Sequence, residues 1–532
     1  MLVGFVSDER FVAIPDVLCE FISSDGISYE TKSRARGSIY IDIPLGLYNL
    51  TFYKEGYGSK SVDCKISDQK IHQFRLLSNN LCGYVWPKWT QSDSFSEFRV
   101  HSTEPYKLEL WKYGLEKQFI RNVGWFDEHG PGATMQITPD GDYTQTGVEW
   151  NKLGYRNNPN HLQNIQAPRE SGLYYFHAKT DTGRFYSFPW IVAPKQPTND
   201  IAVLASNINW NVYNNFGGRS NYIHTEKLPE RPCVNARLDL ARYNLTGFDN
   251  YHSESYNPLS FDRPEHINFI PEDTEIYDEI EGRTACHLAP AEWRLFGWLE
   301  RENFSYDLYA ETQFHSGILN LNDYKILIIS THPEYWTKQM YYSLKNWVFE
   351  GGGKLLYLGG NGLNCEIEFL DDFTISVKNG SSGSRGLRKM GIASRFAASN
   401  ESEANLLGVV FTETGIMTGA PYRVINSSHW VFADTNLQDG DSFGHKSLHM
   451  RCHGGASGHE TDKISPESPK NLQHLAKGLN PDDGGADMIY YETSSGGEVF
   501  STGSITYTSS LIVDKNISTI TSNVIKKFLN YK

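Results

Sequence analysis

Long apolar runs are missing from these 532 residues. No stretch approaches the roughly 20 residues that a membrane-spanning helix needs, and segments such as Lys325 to Ser330 are only strand-sized. Basic charge is scarce: Lys plus Arg number 49 against 63 Asp plus Glu, a net −14 at neutral pH. No basic run offsets that balance, so a nucleic-acid backbone or an anionic membrane is repelled rather than bound. Cysteine is sparse and unpatterned. The seven residues Cys19, Cys64, Cys82, Cys233, Cys286, Cys365 and Cys452 are odd in number and form no C-x-x-C pair. They predict reduced thiols in a cytoplasm, not a disulfide framework or a thiolate zinc site. The opening segment Met1 to Arg10 has neither the basic start nor the apolar stretch of a secretory leader, and none is expected.

Aromatic side chains are what the sequence has in excess, 13% of residues, with 12 Trp, 31 Tyr and 28 Phe. That load excludes a disordered acidic chain and predicts several packed cores. Over residues 1–78, the segments Phe11 to Ile14, Val17 to Ile22, Ser38 to Ile43, Tyr48 to Tyr53 and Lys60 to Lys65 alternate apolar and polar residues between turn signals, as in a small β-sandwich. The segments Arg34 to Ser38 and Ile43 to Tyr48 resemble the prealbumin-like β-domain found beside carboxypeptidases, which implies support rather than chemistry. Residues 79–196 continue the β pattern and predict a second, immunoglobulin-like sandwich. After the Pro/Asn linker Ala193 to Asp200, apolar strands alternate with amphipathic helical patterns at Ala289 to Glu302 and Thr337 to Glu350. Residues 197–532 are therefore expected to form an α/β domain with a mainly parallel, flavodoxin/amidotransferase-like sheet.

In such a sheet, ligands bind beyond the carboxyl ends of the strands. This selects the loops after Ile201–Ser206, after Lys325–Ser330 and after Lys354–Gly359. With a flavodoxin-like order, Tyr213, Tyr222, His332 and Glu334 share one crevice. Glu334 reads two ways: Thr331-x-x-Glu334 matches a helix capping box, whereas a carboxylate near two phenols suits a hard, highly charged cation. Asn361 lies in a Gly-rich loop without a nucleotide-binding pattern. Glu460, in a glycine-rich run, reads as a loop-borne acid or base or as a solvated carboxylate. Cys365 lacks a nucleophile elbow, and His252, His266 and His287 lack zinc spacing. His429, His445, His449, His453 and His459 are expected mostly at the surface.

Taken in order, Trp210-x-x-Tyr213-Asn214-x-x-Gly217-Gly218-x-Ser220-x-Tyr222, Ser260-Phe261-Asp262-Arg263-Pro264, Thr331-His332-Pro333-Glu334-Tyr335-Trp336, Gly359-Gly360-Asn361-Gly362 and Gly458-His459-Glu460-Thr461-Asp462-Lys463 resemble the large subunit of N,N-dimethylformamidase, a resemblance covering about residues 80 to 532. The resemblance implies an amidohydrolase acting on a small linear amide, with a mononuclear ferric iron held by two tyrosines and a glutamate. Carried over by motif, the ligands are Tyr213, Tyr222 and Glu334, with Tyr256 and Tyr251 as alternatives to Tyr222. Glu460 is then the general base, His332 a positioning residue and Asn361 a substrate contact. A small companion subunit and a homo-oligomer are implied. The laminin-G-like β-domain of that family has no room here, which leaves the substrate open. The alternative from another class is a non-catalytic glycan- or protein-binding protein with a degenerate α/β domain.

Overall fold

The computed structural model describes residues 1–127, 142–145, 163–234, 255–378 and 391–530. In the amino-terminal unit, Gly46–Lys54 pairs on either side with Leu18–Ser23 and Gly58–Ile66, and Ser28–Lys32 adds the fourth strand. Alternation turns Cys19, Phe21, Leu50 and Phe52 inward, where they meet Val3, Val6 and Phe74 from a three-stranded sheet of Ser38–Tyr40, Leu2–Ser7 and His72–Arg75. Phe11 to Ile14, expected as a strand, makes only isolated β-bridges, Ala13 to Ser7 and Val12 to Cys233, and Phe11 takes φ 61°.

The next unit sets a five-stranded sheet (Lys117–Phe126, Tyr106–Tyr113, Gly172–Thr180, Phe185–Ala193, Trp89–Gln91) against a three-stranded one (Asn164–Gln166, Phe95–His101, Cys82–Trp86). Leu108, Leu110, Phe176, Phe188 and Trp190 fill the space between them. Tyr84, Phe98, Tyr106 and Tyr174 add aromatic rings to the same core.

Nine strands form the sheet of the third unit, in the order Asp307–Ala310, Ile201–Ala205, Ile326–Thr331, Lys354–Gly359, Glu498–Ser501, Asp487–Glu492, Gln473–Gly478, Tyr422–Val424 and Ser442–Phe443. The first four neighbouring pairs are parallel and the last four antiparallel. The sheet is thus mixed, which corrects the expectation of a mainly parallel one. The parallel half is apolar on both faces because both are covered. Val203, Ile328 and Leu356 pack with the helices Ala289–Arg301 and Lys515–Phe528, while Leu204, Ile329 and Leu355 face Lys338–Phe349. No described helix is long and apolar enough to cross a membrane.

Ile201–Ala205 lies between Asp307–Ala310 and Ile326–Thr331. The loops leaving Ala205, Thr331 and Gly359 therefore start from the same edge of the sheet. A small side sheet pairs Tyr335–Trp336 with Cys365–Glu366 and fixes the chain just after Glu334.

Candidate active site

The first loop begins as the short helix Asn207–Tyr213, then turns back through Gly217 and Gly218, at φ 95° and 90°, to Tyr222. A Cβ on Gly218 would stand 2.4 Å from the Phe11 Cβ, so only glycine allows the amino-terminal unit to close on this turn. The turn is stapled by Arg263. Its buried guanidinium donates to the Asn211, Asn214, Phe216 and Ser260 carbonyls at 2.8–3.1 Å. The result stacks the Tyr213 and Tyr222 rings at 4.2 Å between centroids.

Both hydroxyls reach one acceptor. Tyr213 donates to Glu334 Oε2 at 3.0 Å and Tyr222 to the same oxygen at 2.7 Å. The Tyr335 hydroxyl, 2.8 Å from that of Tyr222, donates to it in turn. The capping reading of Glu334 is wrong: the following helix starts at Lys338, and Thr337 caps it by accepting from the Met340 N–H. Because Tyr335 and Trp336 are taken up by strand pairing, Glu334 is free to face the tyrosines. Burial, then the charges of Glu334 and Glu460, push the Tyr213 phenol far above its ordinary value; burial and Glu334 do the same for Tyr222. In the protein alone both phenols keep their protons.

His332 lies across from this trio. Its Nε2 is 3.1 Å from Glu460 Oε2 and 3.4 Å from Glu334 Oε2. Burial disfavours its charge, but the hydrogen bond and charge of Glu460 outweigh burial and raise its pKa. Glu460 responds in the opposite sense: burial would raise it, and the His332 and Asn361 contacts bring it below its ordinary value. The two form an ion pair. Asn361 donates from Nδ2 to Glu460 Oε2 at 2.7 Å, while its own N–H donates to Asp462 Oδ1 at 2.7 Å. Glu460 is not on a loose glycine run. It is fixed between the short strands Ser457–Gly458 and Thr461–Lys463, and its side chain keeps 14% exposure. Thr331, Asn361 and His459 all sit at positive φ, 60°, 52° and 65°, so backbone strain gathers at this edge.

All six sequence-selected residues thus join one hydrogen-bonded network. Tyr256 lies one group away, its hydroxyl 3.4 Å from Arg395 Nη1, and Tyr251 falls outside the described residues. Sequence reasoning gave no role to Arg395, whose Nη2 donates to Glu334 Oε1 at 3.0 Å. Of the five histidines expected mostly at the surface, His445 and His453 are exposed, whereas His429, His449 and His459 are buried. His287 Nδ1 lies 3.0 Å from His332 Nδ1, and His449 Nε2 lies 3.0 Å from His459 Nδ1, with all four rings buried. His266 pairs elsewhere, with Tyr186, and His252 is outside the described residues. The Cys365 thiol is fully buried on a strand, 3.9 Å from the Glu366 carbonyl oxygen.

Among the described residues, no group of three or more His, Cys, Asp or Glu could hold a metal ion. The oxygen set of Tyr213, Tyr222 and Glu334 is of another kind: one carboxylate oxygen with two phenol oxygens within 3.0 Å of it. The donor chemistry fits a hard cation that could replace the two phenolic protons. A groove of about 510 Å³, lined by residues including Lys112, Glu170 and Asp307, lies at the amino ends of the parallel strands, away from this network.

The sequence matches the family described as N,N-dimethylformamidase beta subunit-like, C-terminal, over residues 158–519. The N,N-dimethylformamidase beta subunit of Paracoccus aminophilus is 25% identical over 521 residues, covering 80% of this chain and 64% of that protein. The beta subunit of the same name from an Alcaligenes species is 25% identical over 402 residues, covering 64% of this chain and 50% of that protein. The chain therefore spans between half and two thirds of the length of these relatives. Among solved structures, a GH42 β-galactosidase matches with a TM-score of 0.29 at 10% identity, over 63% of this chain and 30% of that one, too low to bear on the fold. With the family match running through most of the chain and through every motif that builds the network, the protein belongs to the N,N-dimethylformamidase beta subunit-like family.

Proposed function

We propose that this chain hydrolyses the C–N bond of a small N-substituted amide or formamide at a centre where Tyr213, Tyr222 and Glu334 hold one ferric iron. The observation that carries the reading is the convergence of two phenols on a single carboxylate oxygen, Glu334 Oε2. Neutral phenols donating to a carboxylate are a metal-free resting form of such a ligand set; loading releases two protons. When bound, the metal supplies Lewis-acid activation of the amide carbonyl.

The chain's own groups account for the proton movements. Glu460 is held ionised by His332 and Asn361 and retains a solvent-facing edge, so it can take a proton from the attacking water. Hydrolysis consumes one water and yields a carboxylic acid and an amine, and the proton taken by Glu460 leaves on the amine nitrogen. His332 keeps its Nε2–H on Glu460 and steadies the carboxylate between the two transfers. Asn361 donates to the same oxygen from beside His332. The relatives' names describe them as beta subunits, and a small companion subunit and self-association belong to the same reading.

The test is iron content and visible absorption of the protein after anaerobic loading and re-oxidation, with hydrolysis of N-substituted formamides measured on the same preparation. Coloured wild type and colourless, inactive Tyr213→Phe are expected. A wild type that takes up no iron, or a Tyr213→Phe with unchanged iron, refutes the ligand set. Tyr222→Phe and Tyr256→Phe decide the second tyrosine: loss of colour in the former alone is expected, and loss in the latter alone transfers the role to Tyr256.

A further inference from the structure

We infer that Arg395 is the positioning residue of this centre, engaging one oxygen of Glu334 so that the other alone meets the two phenols, and thereby tuning the affinity and colour of the iron site. The inference rests on the iron reading above. Arg395 and Glu334 side chains are each only 4% exposed, and the 3.0 Å contact runs from Nη2 to Oε1, the oxygen the tyrosines do not use. The guanidinium lies over the Tyr335 ring, 5.9 Å from its centroid, and Nη1 reaches toward Tyr256. It is thus built into the wall of tyrosines that surrounds Glu334.

Its backbone is as firmly placed. The Asn364 carbonyl accepts from the Ser394 hydroxyl at 3.1 Å and the Phe396 N–H at 2.7 Å, and Asn364 Oδ1 accepts from the Arg395 N–H at 3.3 Å. Asn364 Nδ2 in turn donates to Asn361 Oδ1. One asparagine therefore sets both Arg395, on the ligand carboxylate, and Asn361, on the Glu460 carboxylate. A planar guanidinium fixes a carboxylate's orientation as a lysine ammonium does not. It also offsets the charge of a carboxylate that is buried before any metal arrives.

The experiment compares wild type, Arg395→Met and Arg395→Lys by chelator competition, visible spectrum and thermal unfolding. Removing a group that orients a metal ligand weakens metal binding by about 10–100-fold; that loss is expected for Arg395→Met, together with a shifted absorption maximum. Arg395→Lys keeps the charge without the fork and should fall between. A purely structural role would lower the unfolding temperature and leave the absorption maximum in place. Folded Arg395→Met with wild-type affinity and spectrum overturns the inference. If that variant does not fold, Arg395→Lys decides alone: a shifted maximum with weaker binding supports the role, and wild-type values overturn it. A wild type that binds no iron overturns the underlying reading, an outcome visible before any variant is made.

Discussion

Glu292→Gln should remove a pH dependence from the helix that carries Tyr213. Glu292, on the helix Ala289–Arg301, is fully buried; its carboxyl accepts from the Ser206 N–H at 3.2 Å and the Trp210 indole N–H at 2.9 Å. Those two donors flank the start of the helix Asn207–Tyr213, so this acid fastens the element whose last residue points at Glu334. Burial pushes its pKa up to about 8, against the downward pull of both hydrogen bonds. At neutral pH it is therefore a neutral acid, which Gln copies in shape. The unfolded carboxyl ionises at about 4.5 and the folded one at about 8. Between those values only the unfolded chain releases the proton, so the stabilisation present below 4.5 is lost as pH rises through 8. From pH 6 to 9 the loss acts over 8 − 6 = 2 units, at about 1.4 kcal/mol each, or roughly 2.7 kcal/mol. Urea unfolding of wild type and Glu292→Gln, followed by tryptophan fluorescence at pH 6 to 9, should show the wild type losing that amount relative to the variant. Parallel curves, or a wild type that gains on the variant with rising pH, would refute the assignment of a neutral buried acid.

Arg263→Met leaves the Asn211, Asn214, Phe216 and Ser260 carbonyls without their shared donor. At about 1–3 kcal/mol for each buried group left unsatisfied, the unfolding temperature should drop sharply, and iron uptake should fail although every proposed ligand is intact. Cys365→Ala should keep kcat/KM within about threefold of wild type, because a fully buried thiol on a strand is not presented to a substrate; a loss of several hundredfold would move the chemistry to the cysteine.

Where the sequence was informative, the physics was local. Lys354–Gly359 lies where its pattern put it, because a strand covered on both faces is apolar throughout. The antiparallel half of the large sheet was harder to see: Ser442–Phe443 and Tyr422–Val424 are too short to carry a period. At the site, motif residues on separate loops were legible because strand ends collect loops, which brought Tyr213, Glu334 and Asn361 onto one edge. Arg395 was not, since it stands 61 positions from Glu334 and nothing near it in the chain announces the pairing. His449 and His459 belong to a glycine-rich segment whose histidines were expected mostly at the surface, yet these two pair with each other inside the fold. Burial of a polar side chain depends on its partner, and the partner is distant in sequence.

The same non-local logic gives the two β units a place in the chemistry without giving them a catalytic group. The turn between Tyr213 and Tyr222 is gripped from three directions. The Glu9 main-chain carbonyl accepts the Gly217 N–H at 2.6 Å and the Arg75 guanidinium donates to the Gly217 carbonyl at 3.1 Å, both from the amino-terminal unit. From the second unit, Asp142 pairs with Arg219 at 2.7 Å and Thr144 accepts from the same guanidinium at 2.7 Å. Arg263 holds the inner side. A turn with two adjacent glycines at positive φ has low intrinsic order, yet it must keep two phenols on one carboxylate oxygen. That is a demand for rigidity that its own sequence does not meet, and the surrounding units supply it through Glu9, Arg75, Asp142 and Thr144.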